Sequence, residues 1–273
     1  MEVFINPTVA CGDCYACKEL QCENVCEKIG FLGIHAHTGA FAELMNFEAR
    51  RGIHLPADLP LDVGAVLEPV MVAKHAAMRS GVKPSHSVLI VGCGPVGLGL
   101  LLVCKQMGVK KIVVSEISQR RLALAREFGA HVVCNPKEDD VVAVTKKETD
   151  GLGADFAFDI SGTAASLETA VRSIRIQGTV SVVALFEGAI QFKPNDLLLM
   201  EKSIRWMFAY SEEDIKDVIR DFGANKEWRE KIQSMITLRL GLTDAVEKGF
   251  HGIIDRKEEH VKILITSNRG IME

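Results

Sequence analysis

The chain has 273 residues, enough for one large domain or two modest ones, and its 48% hydrophobic and 25% charged fractions are those of a globular protein. A formal net charge of −4 gives no general attraction to nucleic acid or to an anionic membrane, so neither is expected as a partner. No apolar run approaches the length of a bilayer span and Met1-Glu2 is not the basic start of a secretory signal, so a cytoplasmic protein with reduced thiols is expected.

Val3-Phe4-Ile5 reads as the tail of a strand, ended by Asn6-Pro7. Five of the eight cysteines lie between positions 11 and 26. Cys11, Cys14 and Cys17 have C-x2-C-x2-C spacing, and Cys22 and Cys26 follow. In a reducing compartment such a cluster argues for metal rather than disulfides. Four thiolates in a tight loop suit a tetrahedral Zn²⁺ with no open position, a structural site that orders a segment lacking a core of its own. Free or redox-active thiols are an alternative. A zinc ribbon for nucleic acid is a third reading, disfavoured by the few basic residues here. Cys93, Cys104 and Cys134 read as buried small hydrophobes. Gly39 to Met45 resembles a strand entering a sheet. His35 and His37 precede it in a Gly-flanked loop and could ligate metal, although solvated loop histidines are far commoner.

His54 to Pro60 is a Pro-punctuated linker, and Asp62 to Ser80 then reads as a helix broken near Pro69. Glu68 sits inside this apolar segment. A carboxylate so placed should be neutralised, paired or metal-bound, and spacing alone leaves it evenly between a helix-end carboxylate and a site residue.

Val88 to Glu116 is the most informative stretch. Val88 to Val91 suit a strand buried on both faces. Gly92, Gly94 and Gly97 follow with G-x-G-x-x-G spacing around Cys93, Pro95 and Val96, and Leu98 to Met107 continue as a helix would. Gly92 allows the tight turn, Gly94 admits a pyrophosphate to the backbone, and Gly97 lets the helix pack close to the strand. The helix N-terminus then points free N–H groups at the phosphates. Lys111 to Glu116 form the next strand, ending about 20 residues beyond the glycines in an acid able to hold an adenosine ribose. An ordinary strand–turn–helix with incidental glycines is the alternative. Glu116 should repel a 2′-phosphate, which favours NAD over NADP, while Arg120 and Arg121 could offset this or, as helix-start residues, place one guanidinium on the adenine.

Gln119 to Phe128 form an amphipathic helix pattern, followed by a strand at 129–134, a helix at Asp139–Glu148 and a strand at Ala154–Ile160 with Asp155 and Asp159 at its ends. After Ser161-Gly162 come a helix at Ala164–Ile176, a strand at Thr179–Leu185 and a further strand at Lys202–Phe208. Strands alternating with helices imply βαβ units and a parallel sheet. Ligands then gather at the carboxyl ends of the strands: Gly92 to Gly97, Glu116, Ser161-Gly162 and Leu185-Phe186. Helix signals return at Ser211–Asp221, Lys226–Ile236 and Thr243–Phe250, and Val261–Ile265 is a last short strand.

The thiol cluster, the Gly-rich lead into Phe41-Ala42-Glu43, Leu67-Glu68-Pro69, the dinucleotide fingerprint and Asp244-Ala245-Val246-Glu247-Lys248-Gly249-Phe250 together resemble the zinc-containing medium-chain alcohol and polyol dehydrogenases, most closely the butanediol/sorbitol branch. The resemblance implies an α/β fold: a Rossmann-type doubly wound parallel sheet plus an incomplete GroES-like β lobe with a structural zinc loop. It places a remnant of the GroES-like catalytic domain at 1–60, the NAD-binding domain at 61–225 and a segment returning to the catalytic lobe at 226–273. It implies hydride transfer between a secondary alcohol, diol or polyol (or the corresponding ketone) and NAD, and a homodimer or homotetramer pairing through a strand of the dinucleotide domain.

The family's lobe zinc is held at C-x2-C-x2-C-x7-C spacing. Cys11, Cys14 and Cys17 fit, and Cys26 is one residue too far but lies in a segment like the family's fourth-ligand segment, with Cys22 its competitor. The family's reactive zinc is held by an upstream Cys, a Gly-His-Glu motif and, in this branch, a Glu before Pro, here Glu68. The first two are absent, their segment would precede Met1, and impaired activity is expected, with a non-catalytic dinucleotide-binding protein or a fragment as the alternative. Ser161, Leu185 and Phe186 are expected on the nicotinamide side, with Arg121 beside the adenosine.

Overall fold

The computed structural model describes residues 2–34 and 38–267, so the His35 and His37 reading lies outside the described residues. The chain divides into two compact units, Met1–Met71 with Phe208–Glu273, and Val72–Met207.

The N-terminal part of the first unit holds strands β1 (Val3–Ile5) and β2 (Thr8–Val9), the one-turn helix α1 (Tyr15–Lys18), and strands β3 (Gly30–Phe31) and β4 (Gly52–His54). β1 pairs antiparallel with β4, and β2 with β3. The buried Arg51 guanidinium donates to the Thr8 carbonyl and ties these two ribbons together. The strand expected at Gly39–Met45 is absent. Phe41 and Leu44 are 64% and 91% exposed there, and no described strand lies beside them to take up their backbone groups.

Helix α2 (Leu61–Ser80) runs unbroken through Pro69, where a break was expected. Proline removes one N–H and crowds the carbonyl four residues back, that of Ala65. Ala65 is exposed, so its carbonyl can turn to water. Val66, Leu67, Val70 and Met71 are fully buried, each contributing about 1.5–3 kcal/mol, which outweighs the loss at Pro69.

The second unit follows the expected alternation: β5 (Ser87–Val91), α3 (Pro95–Gln106), β6 (Lys111–Ser115), α4 (Gln119–Glu127), β7 (Val132–Cys134), α5 (Val141–Lys147), β8 (Ala154–Asp159), α6 (Ala164–Ser173), β9 (Ile174–Val182), α7 (Asn195–Leu198) and β10 (Ser203–Trp206). All six strands are parallel, in the order β10-β9-β8-β5-β6-β7. This is a doubly wound sheet of Rossmann type whose order reverses between β5 and β8. Val88, Leu89 and Ile90 at its centre are 0% exposed, as a strand covered on both faces requires. Ser118, Asp140 and Thr163 cap α4, α5 and α6 by accepting backbone N–H groups.

One element differs in kind. Ile174 to Ile176, expected as the end of a helix, belong to β9. The β-branched alternation of Ile174-Arg175-Ile176 suits a strand, and the register against β8 shifts near Ala154 to admit it.

In the first unit's C-terminal part, α8 (Glu212–Gly223) and α9 (Lys226–Ser234) precede β11 (Ile236–Gly241), a π-helical turn (Ala245–Phe250), α10 (His251–Asp255) and β12 (Lys262–Thr266). β11 and β12 form a parallel pair. The apolar side of α8 (Ile215, Val218, Ile219, Phe222) is buried, and its last residue, Gly223, packs against Leu59 of the first unit.

Candidate functional site

The switch point of the sheet collects the expected nucleotide-site residues. β5 ends at Val91, and Gly92 turns the chain with φ +95°, a region that L side chains rarely enter. The Gly92 N–H donates to the Ser115 carbonyl at 2.8 Å, locking the turn to β6. Helix α3 starts with Pro95 directly after Gly94. An added Cβ on Gly97 would stand 2.2 Å from the Gly92 carbonyl oxygen, so only glycine brings the first turn of α3 this close to the strand end. A Cβ on Gly94 would meet nothing within 4 Å. The turn is closed where the fold needs closeness and open on the side a diphosphate would approach.

Glu116 follows β6 and is 5% exposed. Its Oε2 accepts the Cys93 N–H at 2.7 Å, and its Oε1 accepts those of Ile117 (2.9 Å) and Ser118 (3.0 Å). Arg121 Nη1 lies 3.9 Å from Oε1. The acid expected to reach a ribose is therefore also a bracket between the glycine turn and the start of α4. Cys93 is fully buried, and burial pushes its thiol far above the ordinary range, so it is inert packing.

On the other side of the switch point, the Ser161 hydroxyl donates to the Val91 carbonyl at 3.3 Å. Gly162 sits against the Leu185 carbonyl, where a Cβ would come within 2.6 Å. Ser161, Gly162 and Leu185 thus come together at the ends of β8 and β9. Leu185 is 82% exposed, whereas Phe186 folds back onto the sheet core.

The thiol cluster lies in the first unit. Cys14 and Cys17 sulfurs are 3.5 Å apart, Cys14 and Cys26 3.9 Å, Cys11 and Cys26 3.5 Å, and all four sulfurs fall within 4.8 Å of one another. Zn–S bonds of about 2.3 Å in a tetrahedron require sulfurs about 3.8 Å apart, so this donor set fits a zinc ion. The N–H groups of Cys11 and Lys28 each point at the Cys26 sulfur at 3.3 Å, fixing its position in the cluster. Backbone N–H groups of Glu27 and Cys17 pull the Cys14 thiol down to about 6, while burial and Cys14 itself push Cys17 up. Four thiol sulfurs gathered this closely are a donor set of the kind a metal ion holds together. Cys22 is not among the four; its thiol turns to the Leu20 carbonyl at 3.2 Å.

Glu68 stands in mid-helix rather than at a helix end. Burial pushes its carboxyl up, opposed by the Lys262 charge and by a hydrogen bond from Tyr210. Tyr210 is 4% exposed, and its own hydroxyl is pushed up by burial and by Glu68. Among the described residues no group of three ligating side chains includes Glu68. Tyr210 is a partner the sequence does not disclose, since nothing local marks a tyrosine whose counterpart lies in a distant helix.

Comparison with known proteins agrees with this geometry. Residues 95–224 match the family model described as zinc-binding dehydrogenase. The (R,R)-butanediol dehydrogenase of Saccharomyces cerevisiae is 36% identical over 261 residues, covering 93% of this chain and 67% of the relative. That of Bacillus subtilis is 33% identical over 245 residues, covering 90% and 69%. Among solved structures, 2R,3R-butanediol dehydrogenase from Bacillus subtilis superposes with a TM-score of 0.85 at 30% identity, over 97% of this chain and 74% of that one. An Escherichia coli oxidoreductase/dehydrogenase of unknown specificity, ECK1772, gives 0.87 at 28% identity, over 97% and 75%. With glycine turn, thiol tetrad and relatives in agreement, the chain belongs to the zinc-containing medium-chain alcohol and polyol dehydrogenase family of oxidoreductases.

Proposed function

We propose that this chain binds NAD(H) in the crevice at the switch point of its parallel sheet, and that its lineage is that of dehydrogenases of secondary alcohols, diols or polyols. The observation that carries the reading is the glycine turn: closed at Gly97, open at Gly94, and bracketed by Glu116. The open backbone and the N-terminus of α3 receive the diphosphate. Glu116 Oε2 keeps a lone pair beyond its bond to Cys93, placing negative charge where a 2′-phosphate would lie, so NAD is favoured over NADP. Arg121 stays beside Glu116 and flanks the adenosine. Ser161, Leu185 and Phe186 border the nicotinamide half. When bound, the nicotinamide supplies the hydride acceptor or donor.

Cys11, Cys14, Cys17 and Cys26 hold a structural zinc that cross-links a loop of little buried apolar surface. A reactive zinc does not fit the described residues. Among the described residues Glu68 is the one ligand candidate for it, with Tyr210 and Lys262 acting on its carboxyl and no further ligands grouped with it. The 273-residue chain is therefore proposed to bind dinucleotide with impaired alcohol turnover. No helix among the described residues is long and apolar enough to cross a membrane; a cytoplasmic site of action is proposed because a four-thiol zinc loop suits a reducing compartment. The open edge of β10, with Trp206 64% exposed, is the proposed pairing surface of a homodimer or homotetramer.

The deciding experiment measures NADH binding by fluorescence and turnover by NADH absorbance with a panel of vicinal diols and polyols. Tight NADH binding with little or no turnover is expected. Turnover at ordinary rates would overturn the impairment, and absence of NADH binding would overturn the assignment.

A further inference from the structure

We infer that Asp159 is a positioning residue for the nicotinamide half of the crevice. The inference rests on the nucleotide reading above and goes beyond it. Asp159 ends β8 at the switch point and is 0% exposed. Its Oδ1 accepts the N–H groups of Ser161 (3.1 Å) and Gly162 (3.3 Å). Its main-chain carbonyl accepts those of Val183 (2.9 Å) and Ala184 (3.3 Å), at the end of β9. One residue therefore holds the loops that leave two neighbouring strands.

These loops reach the glycine turn. The Ser161 side chain bonds the Val91 carbonyl, and its Oγ would lie 2.4 Å from a Cβ on Gly92, so the Ser161 turn packs directly against the turn after β5. Gly162, at φ +71°, fits against Leu185 only while its turn keeps this conformation. The chain of contacts runs from Asp159 to Ser161 to Gly92 on one side, and from Asp159 to Ala184 and Leu185 on the other. The second carboxyl oxygen, Oδ2, is buried without a partner at strict hydrogen-bonding geometry, and the Ser166 hydroxyl is the side-chain donor that acts on this carboxyl. A buried carboxyl is costly, and a packing role alone would be met better by an apolar side chain. Holding two adjacent N–H groups in one turn needs a short side chain with an acceptor oxygen, which is what Asp159 supplies.

The test compares D159A and D159N with wild type for binding of NADH and of ADP-ribose, which lacks the nicotinamide. D159A is expected to weaken NADH about tenfold while ADP-ribose changes less than about threefold. D159N keeps an acceptor for the Ser161 and Gly162 N–H groups and is expected to restore NADH affinity to within about threefold of wild type. Equal losses for both ligands in D159A, or no loss for either, overturn the inference. So does D159N behaving like D159A while melting as the wild type does. If D159A does not fold, D159N and D159S carry the same comparison. Failure of the wild type to bind either ligand would instead refute the nucleotide reading itself.

Discussion

Gly97 would carry its Cβ 2.2 Å from the carbonyl oxygen of Gly92, a distance no side chain can occupy. The strand end and the first turn of α3 are thus held at glycine-only separation. G97A must push α3 off β5, and a loss of about 3 kcal/mol or more is expected, together with loss of NADH binding. G94A has open space around its new methyl and should melt as the wild type does, yet lose NADH affinity by about tenfold or more because the methyl enters the phosphate approach. Thermal melts and NADH titration of both variants separate the two effects.

Metal content distinguishes the fifth thiol from the other four. A single zinc per chain is expected by elemental analysis. C26S should lose it and C22S should keep it, since Cys26 stands among the four clustered sulfurs and Cys22 turns to the Leu20 carbonyl. A strong chelator should lower the melting temperature of wild type and of C22S alike, with little further effect on C26S.

Glu116 combines two tasks, and a single substitution should reveal both. E116A removes the acceptor of the Cys93 N–H and the charge beside Arg121. NADH affinity should fall about tenfold, and the preference for NADH over NADPH should fall further as Arg121 becomes available to a 2′-phosphate. Fluorescence titration with both dinucleotides measures the shift. An unchanged NADH/NADPH ratio would remove Glu116 from cofactor choice.

The stability of the nucleotide unit should carry an acid-dependent contribution from Asp155. Burial raises its carboxyl, but the Ser87 N–H at 2.7 Å and Arg175 at 2.7 Å outweigh this and hold it below the ordinary range. A depressed folded-state pKa means stability that is present above the unfolded-state value, about 4, and lost as pH falls through the folded-state value. Because Arg175 is 37% exposed and partly screened, D155N should cost about 1 kcal/mol at pH 7. The difference from wild type should begin to shrink at about pH 4 and close only as pH falls through the depressed folded-state value, so it should be smaller at pH 3 than at pH 7. Denaturant melts at pH 7 and pH 3 give the comparison.

Legibility in the sequence followed locality. Val88–Val91, the glycine triplet and Lys111–Glu116 are decided by contacts within one βαβ unit, and they fold as their spacing predicts. Cys11, Cys14 and Cys17 are legible from local spacing, whereas Cys26 is preferred to Cys22 only through the resemblance of its flanking segment. Elements decided by distant partners were not. Pro69 looks like a break until the burial of Val66, Leu67, Val70 and Met71 is known. Ile174-Arg175-Ile176 continue an apparent helix until β8 is there to pair with them. Gly39 to Met45 read as a strand from composition, but composition supplies no neighbour. Glu68 was marked by its apolar flanks, whereas Tyr210 and Lys262 come to it from segments far along the chain. Asp159 was visible as a strand-end acid, but its hold on two loops depends on β9 lying beside β8.

The strand order has a consequence for synthesis. β5, β6 and β7 are consecutive in sequence and adjacent in space, so they can associate as soon as residue 134 has left the ribosome. The opposite flank of β5 belongs to β8, which begins only at Ala154. Until then this buried apolar strand presents a bare ladder of amides and carbonyls. The nascent half-sheet should be the species most prone to cross-associate, and pausing translation between these two points should lower the yield of native protein more than a pause after β9.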